Sequence, residues 1–117
     1  YIDDTVNGFV RVGESSKSLG EVINIGAGYE ISIKDLCALI EEITKTKIKI
    51  ISDKARVRPK AGEVFRLKAD NKKAKKLLDW KPLYSGKTGL RKGLKNTIDW
   101  FSDSKNMNRY KTNLYNI

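Results

Sequence analysis

Apolar residues recur at intervals of three and four in four stretches of the chain, which is the spacing that puts them on one face of a helix. The first stretch runs through Val6, Phe9 and Val10, and Asp3 or Asp4 is the predicted N-cap. The other three predicted helices are residues 32–46, 71–79 and 86–101. Each has polar residues on the opposite face, so the pattern predicts amphipathic helices.

Two short runs of β-branched residues have a different pattern. Residues 22–25 and 48–51 are rich in Val and Ile and are bounded by polar or glycine-containing stretches, which is typical of strands. Residues 1–3 are expected to be the end of a further strand. Helices and strands together predict an α/β (α+β) fold.

Local signals support these boundaries. Ser32 and Asp35 form the S-x-x-D pattern of a helix start, and Asp70 is a candidate N-cap for the third helix. Cys37 lies on the apolar face of its helix and is expected to be core filler. The Gly26-x-Gly28 pair lacks the third glycine of a dinucleotide-binding loop, because Ile31 is at that position. A tight turn before a helix is therefore the favoured interpretation.

Composition excludes several classes of function. A length of 117 residues fits one domain, and no apolar run approaches the roughly 20 residues of a membrane span. One cysteine and no histidine leave no disulfide within the chain and none of the usual zinc ligand sets. With no secretory leader pattern, we expect a cytoplasmic protein that binds no metal.

The net charge of +10 is concentrated in one part of the chain. Residues 54–95 contain fifteen Lys and Arg against three Asp and Glu. Such a block is typical of a nucleic-acid surface, a site for a phosphate-bearing ligand, or a well-solvated face.

The basic block begins with the stretch RVRPKAGEVFRLKAD, residues 56–70. Pro59 favours extended backbone at Arg58, and in an extended segment Arg56 and Arg58 point to the same side. Two guanidinium groups on one side can hold phosphates bidentately, whereas Glu63 can accept hydrogen bonds from paired hydroxyls such as those of a ribose. Pairing of both arginines with nearby carboxylates, without any ligand, remains an alternative.

Four segments together resemble the extended short-chain dehydrogenase/reductase enzymes, the NAD(P)-dependent nucleotide-sugar epimerases and dehydratases. Each segment matches a family pattern, and all four occur in the family's order and register over residues 1 to about 101. The matching segments are YIDDTVNGF, EVINIGAGYEISIKDL, RVRPKAGEVFRLKADNKKAKKLLDWKP and GLRKGLKNTIDWF. The chain departs from the family pattern at Asp79, where the family usually has glycine before the tryptophan, and by a short insertion in the last segment.

The resemblance implies roles for individual residues. Arg58 would contact the diphosphate of a nucleotide-sugar, Glu63 would bind the ribose hydroxyls, and Arg56 would be an uncertain third contact. Trp80 would occupy a structural position of the family pattern. Within the family, the chain looks most like a nucleotide-sugar 4,6-dehydratase.

The resemblance also implies what this chain lacks. The family's catalytic Tyr-x-x-x-Lys pair does not occur in it, and no dinucleotide-binding loop is present. We therefore expect no catalytic or cofactor-binding residue here and no activity of the chain by itself. Residues 1–101 would be a C-terminal substrate-binding domain and residues 102–117 a tail. NAD or NADP would bind to a missing N-terminal Rossmann domain of a homodimeric parent enzyme. Without that domain the chain is expected to expose an apolar patch, to which Tyr1, Ile2 and Phe9 contribute.

A second class of function stays open at this point. A small basic nucleic-acid-binding module, or an interaction domain for an acidic partner, would also explain the charge block. Two observations argue against nucleic acid, whose bases stack on aromatic side chains. Only Phe65 and Trp80 are aromatic within the first thirty residues of the block, and Trp80 is at a predicted core position.

Overall fold

The computed structural model describes residues 1–51 and 64–108. These residues form five α-helices and a short 3-10 helix at Ser16–Ser18. The α-helices are α1 (Ile2–Glu14), α2 (Ile33–Thr44), α3 (Lys72–Leu78), α4 (Gly86–Ser102) and α5 (Ser104–Met107). The helices predicted at residues 32–46, 71–79 and 86–101 are thus confirmed to within two residues at each end.

Helix α1 starts earlier than predicted. It begins at Ile2, so the strand end expected at residues 1–3 is wrong, and neither Asp3 nor Asp4 is the N-cap. Tyr1 is the N-cap and makes no side-chain capping hydrogen bond. Asp3 and Asp4 lie inside the first turn instead, where a carboxylate interacts favourably with the helix dipole.

The two predicted strands, at residues 22–25 and 48–51, are also wrong. A strand requires backbone hydrogen bonds to a neighbouring strand, and the described part of the chain offers these segments none. The Ile48 N–H donates to Glu41 Oε1 at 2.7 Å instead. The described residues are therefore helices joined by extended or irregular segments, and they do not show the α/β class.

Side chains of residues 22–25 nevertheless alternate between the core and solvent, as the strand pattern predicted. Ile23 and Ile25 pack against the core, whereas Val22 is 82% exposed and Asn24 is exposed. The segment is thus extended with one apolar side, which is the pattern that predicted a strand. Only the neighbouring strand is absent from the described residues.

The core lies where α3 and the residues after it meet α1. Ala74, Leu78 and Trp80 are 0%, 7% and 2% exposed and form its centre, which confirms the structural position expected for Trp80. Partly buried apolar residues pack around this centre: Val12, Ile23, Ile25 and Leu77. The lysines of α3 are all exposed.

On helix α2 the buried position differs from the predicted one. The apolar spacing puts Ile33, Leu36, Cys37, Ile40 and Ile43 on one predicted face. Leu39, outside that set, is 5% exposed, whereas Ile33 is 74% exposed. Cys37 is only half-buried, so it fills the core in part. The Ser32 side chain accepts a hydrogen bond from the Asp35 N–H at 3.0 Å, which confirms the predicted helix start.

Close approach of α1, α4 and the loop before α4 depends on small residues. A Cβ at Gly89 would overlap the backbone of Tyr84, and one at Gly93 would lie 3.0 Å from the Tyr1 Cβ. With these close contacts, the centre of the Tyr84 ring lies 5.0 Å from the centre of the Tyr1 ring.

Candidate functional site

The three residues predicted to contact substrate, Arg56, Arg58 and Glu63, lie outside the described residues. The structure describes what flanks them: Ile51 on one side and the segment 64–71 on the other. Segment 64–71 has no helical structure and leads directly into α3. The contacts of this segment are therefore the nearest structural information on the predicted site.

Segment 64–71 packs tightly against the turn at residues 26–28. Asn71 Nδ2 donates to the Gly26 carbonyl at 2.5 Å, and a Cβ at Gly26 would come within 2.6 Å of the Ala69 Cβ. Gly28 has a φ of 62°, which favours glycine. The two glycines thus allow a close approach and a left-handed turn, as expected for a turn that precedes a helix.

An ion pair ties the same two segments together. Arg66 Nη2 donates to Glu30 Oε1, and Arg66 Nε donates to Glu30 Oε2 at 3.2 Å. The hydrogen bond from Arg66 lowers the pKa of Glu30, and the Glu30 carboxylate raises the pKa of Arg66. Both groups therefore stay charged over a wide pH range. The pair joins residues 36 positions apart, so no local spacing in the sequence indicated it.

A cleft of about 920 Å³ opens between α2, the residues before it, segment 64–67 and Lys87 at the start of α4. Val64, which follows Glu63 directly in the chain, lines it. The charged residues of its lining are three carboxylates and two cations: Glu30, Asp35, Glu42, Arg66 and Lys87. This described lining has more negative than positive charge, so a bound diphosphate would need further cations.

Asp4 is a buried polar residue that the sequence analysis misjudged. The backbone N–H groups of Leu83 and Tyr84 donate to its two carboxylate oxygens at 2.7 and 3.0 Å. The Tyr84 hydroxyl donates to Asp3 at 3.2 Å and accepts from Asn96 at 3.3 Å. This network fixes the loop before α4 on α1, and its role is structural.

Other kinds of site find little support in the described part of the chain. No group of three His, Cys, Asp or Glu side chains there could hold a metal ion. Within the same residues, no helix combines the length and apolar character of a membrane span.

Known proteins similar to this chain were then compared with it. Residues 1–93 match the family model described as GDP-mannose 4,6 dehydratase. A putative UDP-glucose 4-epimerase of Methanocaldococcus jannaschii is 35% identical over 108 residues, which cover 86% of this chain and 32% of that protein. A UDP-glucuronate 4-epimerase of Thermodesulfobacterium geofontis is also 35% identical, over 89% of this chain and 29% of its own length.

More distant similarity extends to a probable GDP-L-fucose synthase 1 of Oryza sativa, at 27% identity over 89% of this chain and 29% of that protein. No solved structure matches the chain. The chain spans about a third of the length of the curated relatives it matches. The family match, which covers most of the chain, shows that it belongs to the nucleotide-sugar epimerase/dehydratase family of extended short-chain dehydrogenases/reductases.

Proposed function

We propose that this chain is the substrate-binding part of an NAD(P)-dependent nucleotide-sugar 4,6-dehydratase or epimerase. One observation carries the proposal: the family match over residues 1–93 includes the R-P…E-V stretch in register with its neighbours. That stretch contains the two residues, Arg58 and Glu63, whose types suit a nucleotide diphosphate.

The proposed roles follow from the chemistry of the side chains. Arg58 holds the diphosphate through paired, charge-assisted hydrogen bonds, and Arg56 supplies a weaker second contact. Glu63 accepts hydrogen bonds from the ribose hydroxyls. The described lining of the cleft beside Val64 has more negative than positive charge, so in this proposal Arg56 and Arg58 supply the cations for the diphosphate.

The remaining steps are assigned to the rest of a longer protein. The chain contains no Tyr-x-x-x-Lys pair, so proton and hydride transfer and the NAD(P) site belong to a Rossmann domain outside it. In this proposal residues 1–101 are the substrate-binding domain, residues 102–117 are a tail, and the parent is a homodimeric cytoplasmic enzyme.

The burial of Trp80 counts further against the rival nucleic-acid module. Single-stranded nucleic acid binds to exposed aromatic faces, and Trp80 is only 2% exposed. Phe65, at 89% exposed, is then the one aromatic residue of residues 64–80 whose ring is open to stacking.

Calorimetric titration of UDP and GDP into the chain tests the proposal. Arg58→Ala should weaken binding roughly tenfold or more, because hydrogen bonds to charged groups contribute about 1.5–3 kcal/mol. Lys60→Ala is the matched control, since it removes one positive charge from the same stretch, and it should have little effect. Equal affinities for the wild type and a folded Arg58→Ala variant would refute the proposal.

Glu63→Gln separates the ribose contact from the diphosphate contact. It should weaken UDP binding less than Arg58→Ala does, because the amide keeps one acceptor oxygen. A 2′,3′-dideoxy nucleoside diphosphate lacks the ribose hydroxyls, so its affinity should be the same for the wild type and for Glu63→Gln. A loss of affinity for that analogue would contradict the role of Glu63.

A further inference from the structure

A second cleft, of about 510 Å³, lies further along the chain, at residues 68–71 of segment 64–71, and shares no lining residue with the first. We call it the lysine cleft, because Lys68, Lys72, Lys75 and Lys81 all line it. They come from three parts of the chain: the segment before α3, helix α3 itself and the loop after it. Asp70 is its one acidic lining residue.

The charges of this cleft are poorly compensated. Asp70 Oδ1 accepts the Lys72 backbone N–H at 2.9 Å, and Oδ2 lies 3.8 Å from Lys72 Nζ, so this carboxylate is already engaged with Lys72. Lys75 and Lys81 form no ion pair with any carboxylate among the described residues. By contrast, Lys73 on another face of α3 pairs with Glu21 at 2.9 Å.

A buried hydrogen-bond donor also lacks an acceptor at this place. Trp80 lines the cleft and is 2% exposed, and its indole N–H is buried with no hydrogen-bond partner in the described structure. Leaving a buried donor unsatisfied is costly, so such groups in native proteins usually have a partner. Asn71 Oδ1, in the same lining, is likewise buried without a partner in the described structure, so this place has one unmatched donor and one unmatched acceptor.

From these observations we propose that the lysine cleft is a binding site for a small compound with several phosphate groups. Ammonium groups are compact point charges, which suits the distributed oxygens of phosphates. All four lysines are exposed, so a ligand would bind at the open surface of the cleft. Because the Trp80 ring is buried, the cleft offers no aromatic face to a base, which favours phosphate groups over single-stranded nucleic acid as the ligand.

Tripolyphosphate is the probe for a calorimetric test on the full chain at low ionic strength. All titrations use a chain that also carries Arg58→Ala, so that binding does not depend on the proposed substrate contact. The double variant Lys75→Gln/Lys81→Gln should weaken binding at least about fivefold, because two charge-assisted contacts are lost. Lys76→Gln is the matched control on the same helix: it does not line the cleft and should change affinity less than about twofold, as expected for a distant, screened charge.

Each alternative outcome would overturn the assignment. An absence of binding, or equal weakening by Lys75→Gln and Lys76→Gln, would mean that the lysines form only a solvated face. Loss of binding in the Arg58→Ala background, relative to the unmodified chain, would place the probe at residues 52–63 instead. A short oligonucleotide that bound more tightly than tripolyphosphate would indicate a nucleic-acid surface.

Two further readouts identify the contacts and the source of the phosphate. Addition of tripolyphosphate should shift the indole N–H resonance of Trp80 in a ¹⁵N–¹H spectrum, because Trp80 lines the cleft, and an unmoved signal would contradict binding at this place. ATP should bind with the same affinity as tripolyphosphate in the Arg58→Ala background, because the cleft has nothing on which adenine can stack. A marked preference for ATP would refute the assignment to the phosphate groups.

Discussion

At the scale of single residues, Asp4 has the largest structural consequence. It is 6% exposed and accepts the backbone N–H groups of Leu83 and Tyr84, which lie about 80 positions away in the chain. This contact sets the position of the loop between the Trp80 core and helix α4.

Replacement of Asp4 by Ala should therefore be strongly destabilising. We expect a cost of about 1–3 kcal/mol for each backbone donor left without an acceptor, measured by urea denaturation. Asp99→Ala is the matched control: its carboxylate is exposed and forms an i,i+4 pair with Lys95, so it should cost only about 0.3–0.5 kcal/mol. Equal effects of the two variants would show that Asp4 does not hold this loop.

Tyr84 should make the stability of the chain depend on alkaline pH. Burial raises the pKa of Tyr84 above its ordinary value of 10.0, and the neighbouring Asp3 carboxylate raises it further. Folding thus favours the protonated phenol, so this contribution is fully present below pH 10 and is lost as the pH rises through the folded-state pKa.

The test is the difference in free energy of unfolding between the wild type and Tyr84→Phe. It should be constant at neutral pH and decrease above pH 10, because phenylalanine does not titrate. Taking the difference cancels the titration of the lysines, which both proteins share. A difference that stays constant across the alkaline range would contradict the raised pKa.

At the scale of elements, the end of helix α3 shows how this chain departs from its family. Asp79 has a φ of 49°, a left-handed conformation, and the Trp80 backbone N–H closes the cap on the Ala74 carbonyl at 3.4 Å. The family pattern has glycine here, and glycine adopts this conformation without the strain that a Cβ causes.

Asp79→Gly should therefore stabilise the chain by about 0.5–1 kcal/mol, which a shift of the urea midpoint would measure. Lys76→Gly, in the last turn of the same helix, should instead be destabilising, by up to about 1 kcal/mol. The opposite signs make the result independent of any general effect of introducing glycine. Destabilisation by Asp79→Gly would mean that its side chain makes a contact that outweighs the backbone strain.

At the scale of the whole molecule, helix α1 turns its apolar side to solvent. Ile2, Val6, Phe9 and Val10 form one stripe and are between 50% and 74% exposed, whereas Asp4 and Gly8 on the other side are buried. A Cβ at Gly8 would lie 2.8 Å from the Ile25 side chain, so this small side of the helix is fitted to the core. Exposure of Tyr1, Ile2 and Phe9, predicted from the sequence, is confirmed.

This stripe should bind a neutral apolar dye such as Nile red, which the lysines do not attract. Phe9→Ser should reduce the fluorescence of bound dye, because exposed contiguous apolar patches are where such ligands adhere. Leu19→Ser is the control, since Leu19 is 80% exposed but lies outside α1. Equal reductions by the two variants would show that the stripe does not act as one patch.

The sequence by itself determined the features that depend on residues close together in the chain. The start of α2 follows from Ser32 and Asp35, the helices from apolar spacing, and the alternation of residues 22–25 from period two. The ordered family motifs identified the family, because four motifs in one register carry far more information than any one of them. The proposed contacts Arg58 and Glu63 depend on that register, and they stay predictions.

Only the tertiary structure decided which residues meet across long separations. The pairing of Glu30 with Arg66 and the buried role of Asp4 both depend on where distant segments pack. A β-branched run shows that a segment can be a strand, but a strand forms only beside a partner, and residues 22–25 and 48–51 have none among the described residues. The physical reason is range: caps and periodicity act within one or two turns, whereas burial and hydrogen-bond partners are set by the whole packed chain.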